Sequence, residues 1–403
     1  MFIYKAGVVG AGAMGAGIAQ VISFSGLPVV LKDTDQERVD KGLAMVRKVY
    51  QGRVDKGKMT ASEMDQKMKL VIGTTSYDDF KDCDLVIEAV FENMKVKHQV
   101  FQELEKGLPE TAIMASNTSA LSISQIASAV KKSDKVIGIH FFNPAPVMKL
   151  VEVIPGLQTS AETVDDAVAF AESLRKMPVR VKECAGFLVN RLLLPYLNEA
   201  AYAFQESSAP PEEIDKAMRA FGMPMGPFAL LDMLGLDVCA DVSMILYDSF
   251  GPRMKAAEIL GELYKGNRLG VKNGIGFYVY DESKKADLKP VVDVIQAKTG
   301  IKGTPFSPER LVFQMINEAA FCLEENVASP SDIDLAMLAG TGYPQDKGGP
   351  LHTADAIGID VVVEKLKEFS KQLGPRFWPA PILKRMVSAN YLGQKTKRGF
   401  FNY

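Results

Sequence analysis

Ala6-Gly-Val-Val-Gly10-Ala-Gly12-Ala-Met-Gly15-Ala-Gly-Ile-Ala-Gln-Val-Ile-Ser-Phe24 decides the fold of the front half of this chain. Residues 6–9 read as a buried strand and residues 16–24 as an apolar helix, with Gly-x-Gly-x-x-Gly between them. In that context Gly10 permits the tight turn, Gly12 lets the backbone approach a pyrophosphate, and Gly15 allows close helix–strand packing. The helix start, with Ala13 and Met14 in the same loop, offers N–H groups to phosphates. A second strand, residues 28–32, ends at Asp33. A carboxylate about twenty residues past the loop binds a ribose 2′-hydroxyl and repels a 2′-phosphate, so the expected cofactor is NAD. A purely structural glycine turn is the alternative.

Working outward, residues 85–90, 112–116, 136–140, 150–154 and 179–181 read as strands, and 95–106 and 163–175 as helices between them. Such alternation predicts an α/β Rossmann-type domain with a doubly wound, largely parallel sheet. Ligands bind such sheets at the carboxyl ends of the strands, and Glu92, Asn117, Ser119 and His140 all fall just past expected strand ends. Between Asp35 and Lys69 the rhythm is interrupted by a polar helical stretch carrying Lys41, Arg47, Lys48, Arg53, Lys56 and Lys58. This stretch is either a solvated charged face or a basic arm over the crevice that holds phosphates of a second ligand.

With 403 residues the chain exceeds what one hydrophobic core usually serves. A hydrophobic content of 47%, 24% charged residues and a net charge of −2 give no basic footprint for nucleic acid. Cys83, Cys184, Cys239 and Cys322 lie far apart, without the spacing of a disulfide framework or a zinc site, so no metal is expected. No apolar run is long enough to span a bilayer. The first residues run straight into the glycine loop without room for a signal peptide, which points to the cytoplasm.

From residue 185 the pattern turns helical and repeats at a spacing near 120 residues. Asn198-Glu-Ala200 returns as Asn317-Glu-Ala319, and Ile214-Asp-Lys-Ala-Met218 as Ile333-Asp-Leu-Ala-Met337. Gly226-Pro227, Asp232, Gly235 and Asp237-Val238 return, in order, as Gly349-Pro350, Asp355, Gly358 and Asp360-Val361. The reading is three domains, 1–184, 185–280 and 306–403, with a polar, glycine-bearing stretch at 281–305. Asn190-Arg191 in the first repeat corresponds to Glu309-Arg310 in the second.

Only three histidines occur, His98, His140 and His352. His140 follows the apolar run 136–139 and precedes Phe141-Phe-Asn-Pro144, a place suited to a proton-transfer base. Taken together, the glycine loop, Ser116-Asn-Thr-Ser119, His140-Phe-Phe-Asn-Pro144, Glu152, Gly186-Phe-Leu-Val-Asn-Arg191 and the duplicated helical region resemble the 3-hydroxyacyl-CoA dehydrogenase family. Specifically, they resemble the dehydrogenase half of bacterial fatty-acid-oxidation multifunctional enzymes.

The resemblance implies NAD-dependent, reversible oxidation of (S)-3-hydroxyacyl-CoA to 3-oxoacyl-CoA in fatty-acid β-oxidation. His140 would be the base, Glu152 its orienting carboxylate, and Ser119 and Asn190 polar groups around the reacting oxygen. Glu92, Lys97 and Asn117 would line the cofactor site beside Asp33, and Arg53 would contact the substrate. An enoyl-CoA hydratase is the implied metabolic partner, and no hydratase-type half is present in the chain. A β-hydroxyacid dehydrogenase that uses lysine as its base is a competing reading, opposed by the absence of lysine from residues 185–198. A non-catalytic NAD-binding subunit is another. The repeat points to a monomer in which the second helical copy replaces a partner subunit, with a dimer through another surface as the alternative.

Overall fold

The computed structural model describes residues 1–284 and 287–403, so residues 285 and 286 of the expected 281–305 stretch lie outside the described residues. The chain divides into two compact units, Met1–Phe187 and Leu188–Tyr403.

The first unit is built on one eight-stranded sheet: β1 (Ala6–Val9), β2 (Val29–Lys32), β3 (Val71–Thr74), β4 (Leu85–Glu88), β5 (Ile113–Ser116), β6 (Val136–Phe141), β7 (Leu150–Pro155) and β8 (Met177–Arg180). Their spatial order is β3-β2-β1-β4-β5-β6-β7-β8. Helices α1 (Ala13–Ser25), α2 (Gln36–Asp55), α3 (Ala61–Met68), α4 (Met94–Gly107), α5 (Ile123–Ala127) and α6 (Ala161–Ser173) connect them. The inner strands are short and apolar because helices cover both faces, and β1, β2, β4 and β5 are buried along their whole length.

All pairings are parallel except β6–β7, which is antiparallel. That reversal sets His140 directly opposite Glu152. Directly opposed residues of an antiparallel pair project to the same face, so the fold itself brings the base candidate and its carboxylate together.

Several expectations change. His140 lies inside β6, one residue before its end, rather than past it. The polar stretch from Asp35 to Lys69 is two helices, because residues 56–60 break it and Thr60 with Glu63 forms a capping box that starts α3. Strand β3 was not anticipated; it is a four-residue edge strand with a glycine and a partly exposed face, too short for its alternation to stand out.

The second unit is helical: α7 (Val189–Gln205), α8 (Pro211–Phe221), α9 (Pro227–Leu234), α10 (Leu236–Phe250), α11 (Glu258–Lys265), α12 (Lys289–Thr299), α13 (Pro308–Glu324), α14 (Pro330–Thr341), α15 (Pro350–Ile357), α16 (Ile359–Leu373) and α17 (Pro381–Ser388). Helices α7 to α11 and α13 to α17 are the two copies of the repeat. Helix α12, unforeseen within the linking stretch, buries Val292 and Ile295.

The copies meet through α7 and α13, whose side chains are largely buried. Arg191 of α7 donates to Glu318 at 2.8 Å and Glu325 at 2.7 Å. Reciprocally, Arg310 of α13 donates to Glu199 at 2.5 Å and Glu206 at 2.7 Å. Residue i of one copy meets j of the other, and j meets i, which is the signature of a twofold, self-complementary interface. Here it is folded into one chain. Each copy also carries the same internal ties. Asn198 holds the Lys255 carbonyl and the Ala257 N–H, as Asn317 holds those of Trp378 and Ala380. Asp232 accepts from the N–H groups of Phe277 and Tyr278, as Asp355 does from Phe400 and Phe401.

Candidate active site

The glycine loop fits a dinucleotide. Gly10 has φ +105°, and a Cβ there would lie 2.5 Å from the Ala89 carbonyl oxygen; a Cβ on Gly15 would lie 1.7 Å from that of Gly10. Both positions therefore exclude any larger residue. Gly12 differs, because a Cβ on it would meet nothing within 4 Å. Its bareness keeps open the space in front of the N-terminus of α1, where the first turn, including Ala13 and Met14, has no acidic residue and no side-chain cap. Unfilled N–H groups and the positive end of the helix dipole there suit a phosphate. Asp33, following β2, accepts from the Ala11 N–H at 2.8 Å and from the Thr34 N–H at 2.7 Å. Oδ1 also accepts from the Thr34 hydroxyl at 3.3 Å, while Oδ2 retains acceptor capacity for a ribose hydroxyl.

Near the carboxyl end of β6, His140 Nδ1 lies 2.8 Å from Glu152 Oε2. His140 is 7% exposed and Glu152 is fully buried, so the pair lies in the interior of the sheet domain. An ionised carboxylate only accepts, so in this contact a neutral imidazole would carry its proton on Nδ1 and keep a lone pair on Nε2, the tautomer a general base requires. Phe142 and Phe187 pack against the imidazole, with ring centroids at 4.5 and 6.0 Å, and limit its rotation.

Asn117 links the parts. Its N–H donates to the Glu88 carbonyl and its Oδ1 accepts from the N–H of Phe141, the neighbour of His140, both at 2.8 Å. Ser119 follows in the same turn; its N–H and hydroxyl donate to Glu92 Oε1 at 2.9 and 3.2 Å. Thr118 donates to the same oxygen at 2.6 Å. Burial works against an ionised Glu92, but the Lys97 charge and the bonds from Thr118, Ser119 and Lys97 outweigh it and hold the carboxyl below its usual range.

Lys97 is engaged within the protein itself. Its side chain is 1% exposed, its ammonium is bound by both oxygens of Glu88 at 2.8 and 2.9 Å, and it lies 3.3 Å from Glu92. It supports Glu92 from beneath. Arg53, in the last turn of α2, lies over the Phe24 ring at 4.5 Å, while Lys41 pairs with Glu37 and Arg47 with Asp65. Part of the basic arm is thus engaged in its own helices. Asn190 stands in the first turn of α7, in the second unit.

The sequence reading missed Glu88, whose carboxylate sits in the apolar run of β4; a charged residue within such a run was the available signal. It also missed Lys176, which donates to the Ala145 and Met148 carbonyls at 2.6 and 2.7 Å. That ties down the loop joining β6 to β7. Burial pushes the Lys176 ammonium down to about 8.

The model of the NAD-binding domain of 3-hydroxyacyl-CoA dehydrogenase matches residues 5–184, and that of its C-terminal domain matches twice, at 186–280 and 306–403. The fatty acid oxidation complex subunit alpha of Shewanella amazonensis is 42% identical over 395 residues, covering 96% of this chain and 55% of its own length. The chain thus spans about half the length of the curated relatives it matches. A crystal structure of 3-hydroxybutyryl-CoA dehydrogenase from Escherichia coli superimposes with a TM-score of 0.88 at 30% identity, covering 97% of this chain and 100% of the other. The (S)-3-hydroxybutyryl-CoA dehydrogenase of Ralstonia eutropha is 42% identical with a TM-score of 0.68. Its whole chain covers 70% of this one, a length that accommodates the sheet domain and a single helical copy.

Proposed function

Because the chain belongs to the 3-hydroxyacyl-CoA dehydrogenase family, and is an NAD-dependent oxidoreductase, we propose that it reversibly oxidises (S)-3-hydroxyacyl-CoA to 3-oxoacyl-CoA with His140 as the base. The observation that carries the reading is the buried 2.8 Å contact between His140 Nδ1 and Glu152. NAD, when bound, would supply the acceptor for the hydride lost from C3. As that C–H bond breaks, the C3 hydroxyl gives its proton to His140 Nε2 and the C3–O bond becomes a carbonyl. Glu152 keeps the Nδ1 proton in place and stabilises the imidazolium that forms. Ser119 and Asn190 act on the substrate oxygens, with Glu92 orienting Ser119. Gly10, Gly12, Ala13, Met14 and Gly15 hold the pyrophosphate, and Asp33 the adenosine ribose.

The three-domain division, 1–184, 185–280 and 306–403, belongs to the same reading and is supported by the reciprocal ion pairs and the paired asparagine and aspartate ties. So does the monomer, since the self-complementary face is already covered from within. The reading places the reaction in the cytoplasm; among the described residues no helix is long and apolar enough to cross a membrane. An enoyl-CoA hydratase is the metabolic partner, supported by the Shewanella relative's being a subunit of a fatty acid oxidation complex.

Following NADH formation with a series of 3-hydroxyacyl-CoA substrates tests the function, and no NADH from any of them contradicts it. In the same assay Asp33 should make NAD preferred over NADP, and Asp33→Ala should narrow the preference. Equal use of both cofactors by the wild-type protein would refute the role of Asp33.

A further inference from the structure

We propose that Glu88 and Lys97 are positioning residues of this dehydrogenase: a buried carboxylate fixes an ammonium, the ammonium aims Glu92, and Glu92 holds the turn that presents Ser119. The inference rests on the functional reading above.

The geometry runs from the core outward. Glu88 ends β4 and pairs across the sheet with Ser116 of β5. Its Oε1 accepts from the Val90 N–H at 2.7 Å and from Lys97 at 2.8 Å; its Oε2 accepts from Lys97 at 2.9 Å and from the Ser116 hydroxyl at 2.6 Å. Two oxygens with about four acceptor sites are thereby filled, and no lone pair is left to reach a ligand. The ammonium also faces outward, 3.3 Å from Glu92 Oε2. Glu92 gathers Thr118 and Ser119 on its other oxygen. Side-chain exposure rises along the series from 0% at Glu88 through 1% at Lys97 to 39% at Glu92.

A buried ion pair is a poor device for stability alone, because a well-packed apolar pair of similar volume is often as stable or more so. What an apolar pair cannot do is extend a fixed charge to Glu92 and thereby set the height of Ser119. Glu88 also acts on the same turn directly, since the Ser116 hydroxyl it orients accepts from the Thr118 N–H at 3.3 Å. The turn is thus held from both sides by one carboxylate.

The test compares Glu88→Gln, Lys97→Met and the double variant, in the full chain and well below the Tm of each. The readouts are Tm, the Kd for NADH by fluorescence, and kcat and KM with 3-hydroxybutyryl-CoA. Each single variant should lower Tm by stranding a buried partner, and the double variant should recover most of it. The double variant should still lose about 10- to 100-fold in kcat, as misplaced groups do, with weaker NADH binding and little change in KM for the acyl-CoA. Wild-type kcat and NADH affinity in the double variant overturn the proposal. So does a loss of kcat that simply tracks Tm across the three variants, which is what a purely structural pair predicts. Wild-type protein that forms no NADH from any 3-hydroxyacyl-CoA refutes the functional reading instead, and NADH affinity and Tm in the double variant then decide the relay by themselves.

Discussion

The two helical copies hold equivalent buried aspartates with different donors. In the first, Asp215 accepts from the N–H groups of Phe228 and Ala229 and from the Tyr278 hydroxyl, the last at 2.9 Å. In the second, Asp334 accepts from the N–H groups of Leu351 and His352 and from His352 Nδ1 at 2.7 Å. Phe401 stands where Tyr278 stands in the first copy, and His352 stacks on it at 3.8 Å. The donor to the equivalent Oδ2 has changed from a tyrosine hydroxyl to a histidine ring nitrogen, while the buried carboxylate and its two backbone bonds stayed. Elsewhere the copies part in chemistry rather than packing, as Asn190 becomes Glu309 beside a retained arginine. A duplicated domain thus keeps what its core demands and drops what only one copy needs.

The strongest way to break this comparison is to remove one copy. A chain ending at Tyr280 loses Glu318 and Glu325, leaves Arg191 without them, and bares the apolar side of α7, so it should aggregate or dimerise in light scattering. A fully active, well-behaved monomer would refute the internal twofold. Within the intact chain, Arg310→Leu should cost about 3–5 kcal/mol in denaturant unfolding, because Glu199 and Glu206 are left buried with one partner fewer.

Next in size is the chemical difference. Asn190→Ala should lower kcat by about 10²–10³-fold, the usual cost of an oriented donor at a reacting oxygen, whereas Glu309→Gln should leave kcat unchanged. Equal losses would mean that both copies serve the reaction.

The donor exchange gives smaller, reciprocal effects. Tyr278→Phe and His352→Ala should each cost about 1.5–3 kcal/mol, as hydrogen bonds to charged groups do, and adding Phe401→Tyr to His352→Ala should restore part of it. Burial raises Asp334 to about 6. A raised carboxylate stabilises the fold most when protonated, and that contribution fades as pH rises through about 6. The cost of His352→Ala should therefore shrink as pH falls below that point, where a protonated Asp334 depends less on a donor to its carboxylate; a cost independent of pH would contradict this assignment.

What the sequence disclosed follows from how local each signal was. The glycine loop and Asp33 could be read because strand, turn and helix are contiguous. The repeat could be read because its motifs kept their order and near-constant spacing. His140 and Glu152 were found as candidates, but the antiparallel reversal that pairs them was not, since two apolar strands carry no mark of relative direction. The support beneath the site was hidden for the same reason. Glu88 and Lys97 meet only when α4 lies over β4, and nothing in the residues around Lys97 reveals that its ammonium points inward. Likewise the exchange of Tyr278 for His352 joins residues 63 and 18 positions from their aspartates, a link only the folded copies display.

The claim on which the rest depends is that His140, held by Glu152, takes the hydroxyl proton. Steady-state kinetics of His140→Gln with NAD and a 3-hydroxyacyl-CoA, alongside its affinity for NADH, test it most directly. The expected result is a loss of about 10²–10⁴-fold in kcat, the range for removing a general base, with NADH affinity near that of the wild type. Turnover close to wild type in His140→Gln would contradict the mechanism.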